Sequence, residues 1–268
     1  MTSTEKLSAE NLFDLSGQTV LVTGSSRGIG EAIARRCAQQ GANVIISSRK
    51  QAACDVVAAS INETEGREAA HAVACNIAHK EELQALVDAT LAKFGPIDCL
   101  VCNAAVNPYY GPSKDIPDDA FDHVMSVNVK SNHWLCHMAL PGMAERGSGS
   151  IIIISSVAGV VGSQTLGVYG LSKAADFQMA RNIAVEYGPQ NIRANCIAPG
   201  VIRTYFAEAL WKDPKIEAAI SKGSPLRRFG DPDEIAGAAV FLASKASSFM
   251  TGQSMVIDGG GLISMGDL

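Results

Sequence analysis

The run Ile151-Ile152-Ile153-Ile154 restricts the possible folds of this chain more than any other segment. A strand with one face in water alternates apolar and polar side chains, so four consecutive isoleucines require apolar cover on both faces. Similar β-rich apolar runs recur at 19–23, 43–47, 72–75, 97–102, 150–155, 192–198 and 255–258, separated by helical patterns near 29–40, 51–61, 79–94, 118–145, 169–187 and 232–243. Strand–helix alternation of this kind predicts an α/β chain: a doubly wound parallel β-sheet of about seven strands, flanked by helices. With 47% hydrophobic and 18% charged residues in 268, the chain can fill such a core. No repeat or linker divides it, so one domain is expected over 15–268, after a poorly ordered N-terminal extension at 1–14. The rhythm breaks at 200–230, a stretch holding Trp211, Pro214, Pro225 and Arg227-Arg228. A connection this long predicts a substrate lid, with a short helix near 204–221.

Several function classes are disfavoured. A net charge of -5 argues against nucleic acid as a partner. Residues 1–16 are polar and mixed in charge, and no run reaches the ~20 apolar residues needed to span a bilayer, so the expectation is a soluble cytoplasmic protein. Seven scattered cysteines suit reduced, buried thiols rather than a disulfide framework. Cys99-Leu100-Val101-Cys102 spells C-x-x-C, but on a strand its ends point to opposite faces. His133 and His137 lack the glutamate of a zinc-protease motif, and no metal site is expected. Asn62-Glu63-Thr64 matters as a glycosylation acceptor only in a secreted chain.

Three motifs carry chemistry. Thr23-Gly24-Ser25-Ser26-Arg27-Gly28-Ile29-Gly30 follows the first strand and opens the first helix. Glycines there let the backbone approach a pyrophosphate, and the helix N-terminus supplies free N–H groups. About 20 residues on, where an NAD site carries an acid, stands Ser47-Ser48-Arg49-Lys50. Small Ser48, with Arg49 and Arg27 as donor forks for a 2'-phosphate, predicts NADP(H) ahead of NAD(H). Finally, Tyr169 and Lys173 lie i,i+4, on one face if helical. A cation ~4 Å from a phenol favours phenolate by roughly 4 kcal/mol at an effective dielectric of ~20, which suits Tyr169 to proton transfer near neutral pH.

Together these residues resemble the single-domain branch of the short-chain dehydrogenase/reductase family, over roughly residues 15–260. The glycine turn matches Thr23 to Gly30, with Gly24, Ser26, Arg27, Gly28, Ile29 and Gly30 facing the cofactor, and Ser48 and Arg49 on its adenosine ribose. The adenine-side N-N-A-G run is similar to Cys102-Asn103-Ala104-Ala105. The catalytic asparagine is matched by Asn128 in Val127-Asn128-Val129, and the catalytic serine by Ser156, chosen over Ser155 because it precedes Tyr169 by 13 residues. Tyr169 and Lys173 match the Tyr-x-x-x-Lys pair, while Pro199, Gly200, Ile202 and Thr204 match the nicotinamide-side loop. Asn76, beside Ile77, replaces the usual adenine-contacting aspartate, and Cys102 and Ala105 replace an asparagine and a glycine.

The resemblance implies a Rossmann fold and an NADP(H)-dependent oxidoreductase interconverting ketones or aldehydes with alcohols. Tyr169 would be the acid/base and Ser156 would hydrogen-bond the substrate oxygen. Lys173 would assist the phenol and hold the nicotinamide ribose, and Asn128 would kink helix 118–145 and anchor a water. Val106-Asn107-Pro108 and the Ser-Ser-Arg-Lys run resemble the NADP carbonyl reductase subtype. The expected walls (Pro108, Tyr109, Tyr110, Val160, Val161, Leu166, Phe206, Leu210, Trp211) suit a hydrophobic small-molecule substrate. Arg203 and Lys212 keep a 3-oxoacyl-thioester (acyl-carrier) reductase open. A polyol or sugar dehydrogenase and an NADP-binding sensor without turnover remain alternatives. Family members are usually homotetramers.

Overall fold

The computed structural model describes residues 11–264. Most of the expected N-terminal extension, residues 1–10, therefore lies outside the described residues. Seven strands form one parallel sheet: β1 (Thr19–Thr23), β2 (Asn43–Ser47), β3 (Ala70–Ala72), β4 (Cys99–Cys102), β5 (Gly149–Ile154), β6 (Ile192–Pro199) and β7 (Ser254–Ile257). Their order is β3-β2-β1-β4-β5-β6-β7. The helices are α1 (Gly28–Gln39), α2 (Gln51–Glu65), α3 (Lys80–Phe94), α4 (Asp118–Met125), α5 (Ser131–Arg146), α6 (Gly167–Tyr187), α7 (Glu208–Trp211), α8 (Pro214–Gly223) and α9 (Pro232–Ala243).

The isoleucine run resolves as two-sided burial requires. Ile152 and Ile154 join a core with Val20, Val22, Val44 and Ile46, under α1, α2 and α9. Ile151 and Ile153 enter the opposite core with Leu21, Ile45 and Leu100, under α3, α5 and α6. Cys99 and Cys102 likewise divide between the two cores, and all seven cysteines are free and buried. Burial pushes the Cys75 and Cys99 thiols up to about 12, so both remain protonated.

Among the boundaries that differ from expectation, four have a visible cause. The third strand lies at Ala70–Ala72 rather than 72–75, because Asn62 brackets Ala70, donating to its O at 3.0 Å and accepting from its N at 2.7 Å. The fourth begins at Cys99, since the Asp98 carboxylate turns to accept from Thr19 N at 2.8 Å. Helix 118–145 is interrupted by one π-turn, Ser126–Lys130, with Asn128 at its centre. The expected lid helix is two short helices, α7 and α8, parted where Asp213 accepts from Lys215 N at 2.8 Å and Pro214 starts the second. Among the described residues, no helix is long and apolar enough to cross a membrane.

Truncating Leu100, fully buried on central β4, tests the packing. L100A is expected to lower unfolding free energy by about 2–5 kcal/mol in chemical denaturation, and a loss under ~1 kcal/mol would contradict the two-faced core.

Candidate active site

β1 and β4 are sheet neighbours, yet the chain continues from them to opposite sides, which opens a crevice beyond their carboxyl ends. The glycine turn fills that position. Gly24 and Gly28 have φ of +66° and +62°, where a side chain would be strained. Asn103, just past β4, donates through Nδ2 to Thr23 O at 2.9 Å and Gly24 O at 3.1 Å, and its N–H meets Thr23 Oγ1 at 3.0 Å. Ala104 N–H donates to the same hydroxyl at 3.2 Å. Asn103 therefore holds the turn's shape. A Cβ on Gly30 would lie 2.5 Å from both Asn103 Nδ2 and Gly24 O, so only glycine lets helix and turn close together.

These residues fit a dinucleotide. The turn presents the N-terminus of α1, with Ser26, Gly28 and Ile29 partly open around exposed Arg27. At the end of β2, Ser47 Oγ is a buried hydroxyl without a hydrogen-bond partner. Ser48 Oγ is 3.1 Å from Cys54 Sγ, turned towards α2, and Arg49 is exposed. Asn76 Oδ1 accepts from Ala78 N–H at 3.2 Å, leaving one lone pair for an amine; its neighbour Ile77 packs on the second core. Ala105 is partly exposed beside Ala104. Pro199 ends β6, and Gly200 lies so near Asp258 that a Cβ would approach its Cα to 2.7 Å. Buried Ile202 pairs with Gly230, and Thr204 lies against Gly28, so the lid's base borders the glycine turn.

The candidate catalytic residues gather around α6. Ser155 Oγ is buried and donates to Lys173 O at 2.7 Å, which leaves Ser156 as the partly exposed serine. Ser156 Oγ accepts from Ala158 N–H at 3.1 Å and starts the short turn Val157–Gly159. That turn lies flush on α6, since a Cβ on Gly159 would come within 2.7 Å of the Lys173 backbone. Tyr169 is partly exposed, and Lys173 Nζ stands 5.7 Å from its ring centroid. Asn128, fully buried, accepts from Val106 N at 2.8 Å through Oδ1 and donates to Val106 O at 2.9 Å and Ser172 Oγ at 3.0 Å.

Lys173 is only 2% exposed, and Nζ donates to Ile154 O at 2.8 Å and to Asp176 Oδ2 at 3.2 Å. Burial opposes its charge, but attraction to Asp176 and Tyr169 outweighs that and holds the ammonium above the ordinary lysine range. Burial pushes Asp176's carboxyl above the usual carboxylate range, with Lys173 and Asn132 pulling the other way. Sequence reasoning missed Asp176, Asn132 and Ser172. The i,i+3 spacing from Lys173 was the one available signal for Asp176.

The lid covers this set with Phe206, whose ring centroid is 6.2 Å from that of Tyr169. Tyr109, Leu166 and Asn107 share a small cavity with Tyr169. Trp211 Nε1 donates to Thr204 O at 2.8 Å and anchors the lid. Arg203 pairs with Glu217, and Lys212 with Glu208 at 3.0 Å. Among the described residues, no group of three or more metal-binding side chains occurs.

Residues 24–261 match the family described as Enoyl-(Acyl carrier protein) reductase. The chain is 41% identical over 248 residues to Dehydrogenase/reductase SDR family member 4 of Bos taurus, covering 92% of this chain and 88% of that protein. The chain belongs to the short-chain dehydrogenase/reductase family. Its fold superimposes on a gluconate 5-dehydrogenase from Burkholderia cenocepacia in complex with NADP and tartrate, with a TM-score of 0.91 and 32% identity over 96% of this chain and 100% of that one. A 7α-hydroxysteroid dehydrogenase complexed with NADH and 7-oxo glycochenodeoxycholic acid gives a TM-score of 0.90 and 36% identity, covering 96% and 98%. As a family member, the chain is an oxidoreductase with a nicotinamide dinucleotide cofactor.

Replacing Gly30 by alanine tests the cradle. Because Gly24 O is backbone, the turn must shift, and G30A is expected to weaken dinucleotide binding at least ~tenfold in fluorescence titration. Unchanged affinity would remove the turn from the cofactor site.

Proposed function

We propose that this protein is an NADP(H)-dependent reductase/dehydrogenase that interconverts a hydrophobic ketone or aldehyde with its alcohol, with Tyr169 as general acid/base. One observation carries the reading: a partly exposed Tyr169 stands beside a buried, charged Lys173, at the carboxyl ends of the strands where the glycine turn also lies. The nicotinamide, when bound, supplies or takes the hydride. Tyr169 Oη gives its proton to the carbonyl oxygen in reduction and takes the alcohol proton in oxidation. Ser156 Oγ hydrogen-bonds that oxygen and orients it. Lys173 Nζ sets a positive charge beside the phenol and holds the nicotinamide ribose. Asn128 fixes the π-turn against Val106 and α6 through its side-chain bonds.

Preference for NADP(H) is supported by Ser48 in place of an acid and by the exposed guanidinium groups of Arg27 and Arg49. The remaining proposed cofactor contacts are Gly24, Ser26, Gly28, Ile29, Gly30, Asn76, Ile77, Asn103, Ala104, Ala105, Pro199, Gly200, Ile202 and Thr204. Exposed Val160, Val161, Tyr110, Tyr205 and Phe206 suit an apolar substrate. The steroid dehydrogenase neighbour holds 7-oxo glycochenodeoxycholic acid. With Arg203 and Lys212 each paired to a glutamate, the lid has less to offer an acyl-carrier phosphate. A cytoplasmic homotetramer joined through α4–α5 and α6 is the assembly we favour.

Y169F should lower kcat with aromatic or α-dicarbonyl ketones roughly 10²- to 10⁴-fold while NADPH still binds. Ketone reduction at full speed in that variant would refute the mechanism, and no turnover of any carbonyl or alcohol by the wild type, despite tight NADPH binding, would favour a sensor. Introducing a carboxylate at the ribose, S48D, should weaken NADPH about tenfold or more while sparing NADH; NADPH affinity that survives it would contradict the 2'-phosphate pocket.

A further inference from the structure

Asp176 lies one turn beyond Lys173 on α6, and its side chain is fully buried. A carboxylate placed there persists only with compensating partners on both oxygens. Oδ2 accepts from Lys173 Nζ at 3.2 Å, and Oδ1 accepts from Asn132 Nδ2 at 3.3 Å. Asn132 Nδ2 also donates to the backbone O of Asn128 at 2.8 Å. Asn128 Nδ2 reaches Ser172 Oγ, which donates to Tyr169 O at 2.7 Å. The carboxylate is thus joined through one arm to the ammonium beside the phenol, and through the other to the backbone that carries the phenol.

The other titratable groups facing this space are thiols and one cation. Cys102 on β4 lies 3.9 Å from Cys136 on α5, and Cys196 on β6 donates to Asp176 O at 3.4 Å. Contact with Cys136 and burial raise the Cys102 thiol, and burial raises that of Cys196, so neither adds charge. The one cation, Arg181, acts on Cys196 through space but is itself exposed on α6, where it donates to Gln178 Oε1 at 3.0 Å. Inside the pocket, Lys173 and Asp176 are therefore the charges that act on Tyr169.

We propose that Asp176 is a positioning residue for proton transfer at Tyr169: its carboxylate pins the Lys173 ammonium and, by opposing that charge, sets how readily the phenol ionises. This rests on the assignment of Tyr169 as acid/base made above. The Ile154 carbonyl still accepts from Nζ when the carboxylate is gone, and an ammonium held there but no longer opposed draws phenol ionisation to lower pH. These two separations, 3.2 Å and 5.7 Å, place Asp176 Oδ2 within about 9 Å of the ring centre. One charge at that range and an effective dielectric of ~20 is equivalent to about one pH unit.

The test compares wild type, D176N and D176A, the last leaving room for water in place of the carboxylate. Ultraviolet difference titration of the cofactor-free protein reads tyrosinate formation, and subtracting the Y169F version of each isolates the share of Tyr169. The acid limb of kcat/KM for alcohol oxidation with NADP+ is recorded alongside. Removal of the negative charge should move both curves about one pH unit lower. Curves that stay in place or move higher overturn the proposal, including the case in which only thermal stability falls. If neither variant folds, Asp176 is a stability residue and the proposal also fails. An active Y169F would instead defeat the underlying assignment, whereas an inactive Y169F with unmoved D176N curves defeats this inference alone.

Discussion

The active-site architecture depends on keeping one ammonium charged inside a dry core. Lys173 is buried between α6 and the ends of β5 and β6, where burial alone favours the neutral amine. The Ile154 carbonyl, the Asp176 carboxylate and the nearby phenol together reverse that preference. Each partner arrives from a fixed element. Ile154 is the last residue of β5, and the next residue, Ser155, bonds back to the Lys173 carbonyl. Cys196 on β6 reaches Asp176 from the other side. A shift of α6 by one residue would break all of these contacts, so its register on the sheet and the chemistry at its face are one constraint.

The π-turn serves the same constraint. An extra residue in the helical ladder re-aims the side chains around it, and Asn128 is thereby directed to Val106 and Ser172 instead of solvent. Four turns of separate chain, at 104–106, 126–132, 154–159 and 169–176, are drawn together by side-chain amides and hydroxyls. Bonds of this kind are strongest where water is excluded, and each is costly to leave unmade there.

The cofactor half is organised by topology. Reversal of the strand order between the parallel neighbours β1 and β4 opens the crevice, and Asn103 closes its floor by bonding the glycine turn's carbonyls. The lid is tied at its base by Ile202 and Gly230 and at its crest by Trp211, while Arg27 of the turn stacks 4.2 Å over Tyr205 of the lid. The glycine turn and the lid are therefore in direct contact through one cation–π pair.

Much of this was legible in the chain itself. Unbroken apolar runs such as Ile151–Ile154 demand two-sided burial, and alternation with helical patterns leaves a parallel sheet as the solution; glycine spacing marks the turn, and Tyr169 with Lys173 marks a helix face. These are local properties, read from neighbours three or four residues apart. What local pattern could not decide was which polar groups meet across the fold. Asn103 meets the turn 79 residues earlier, Asn132 meets Asp176 across 44, and the strand at Ala70–Ala72 begins where Asn62 brackets Ala70. The charge on Lys173 is likewise a tertiary outcome, because burial and its compensation exist only once β5, β6, the π-turn and α6 have packed around the same few ångströms.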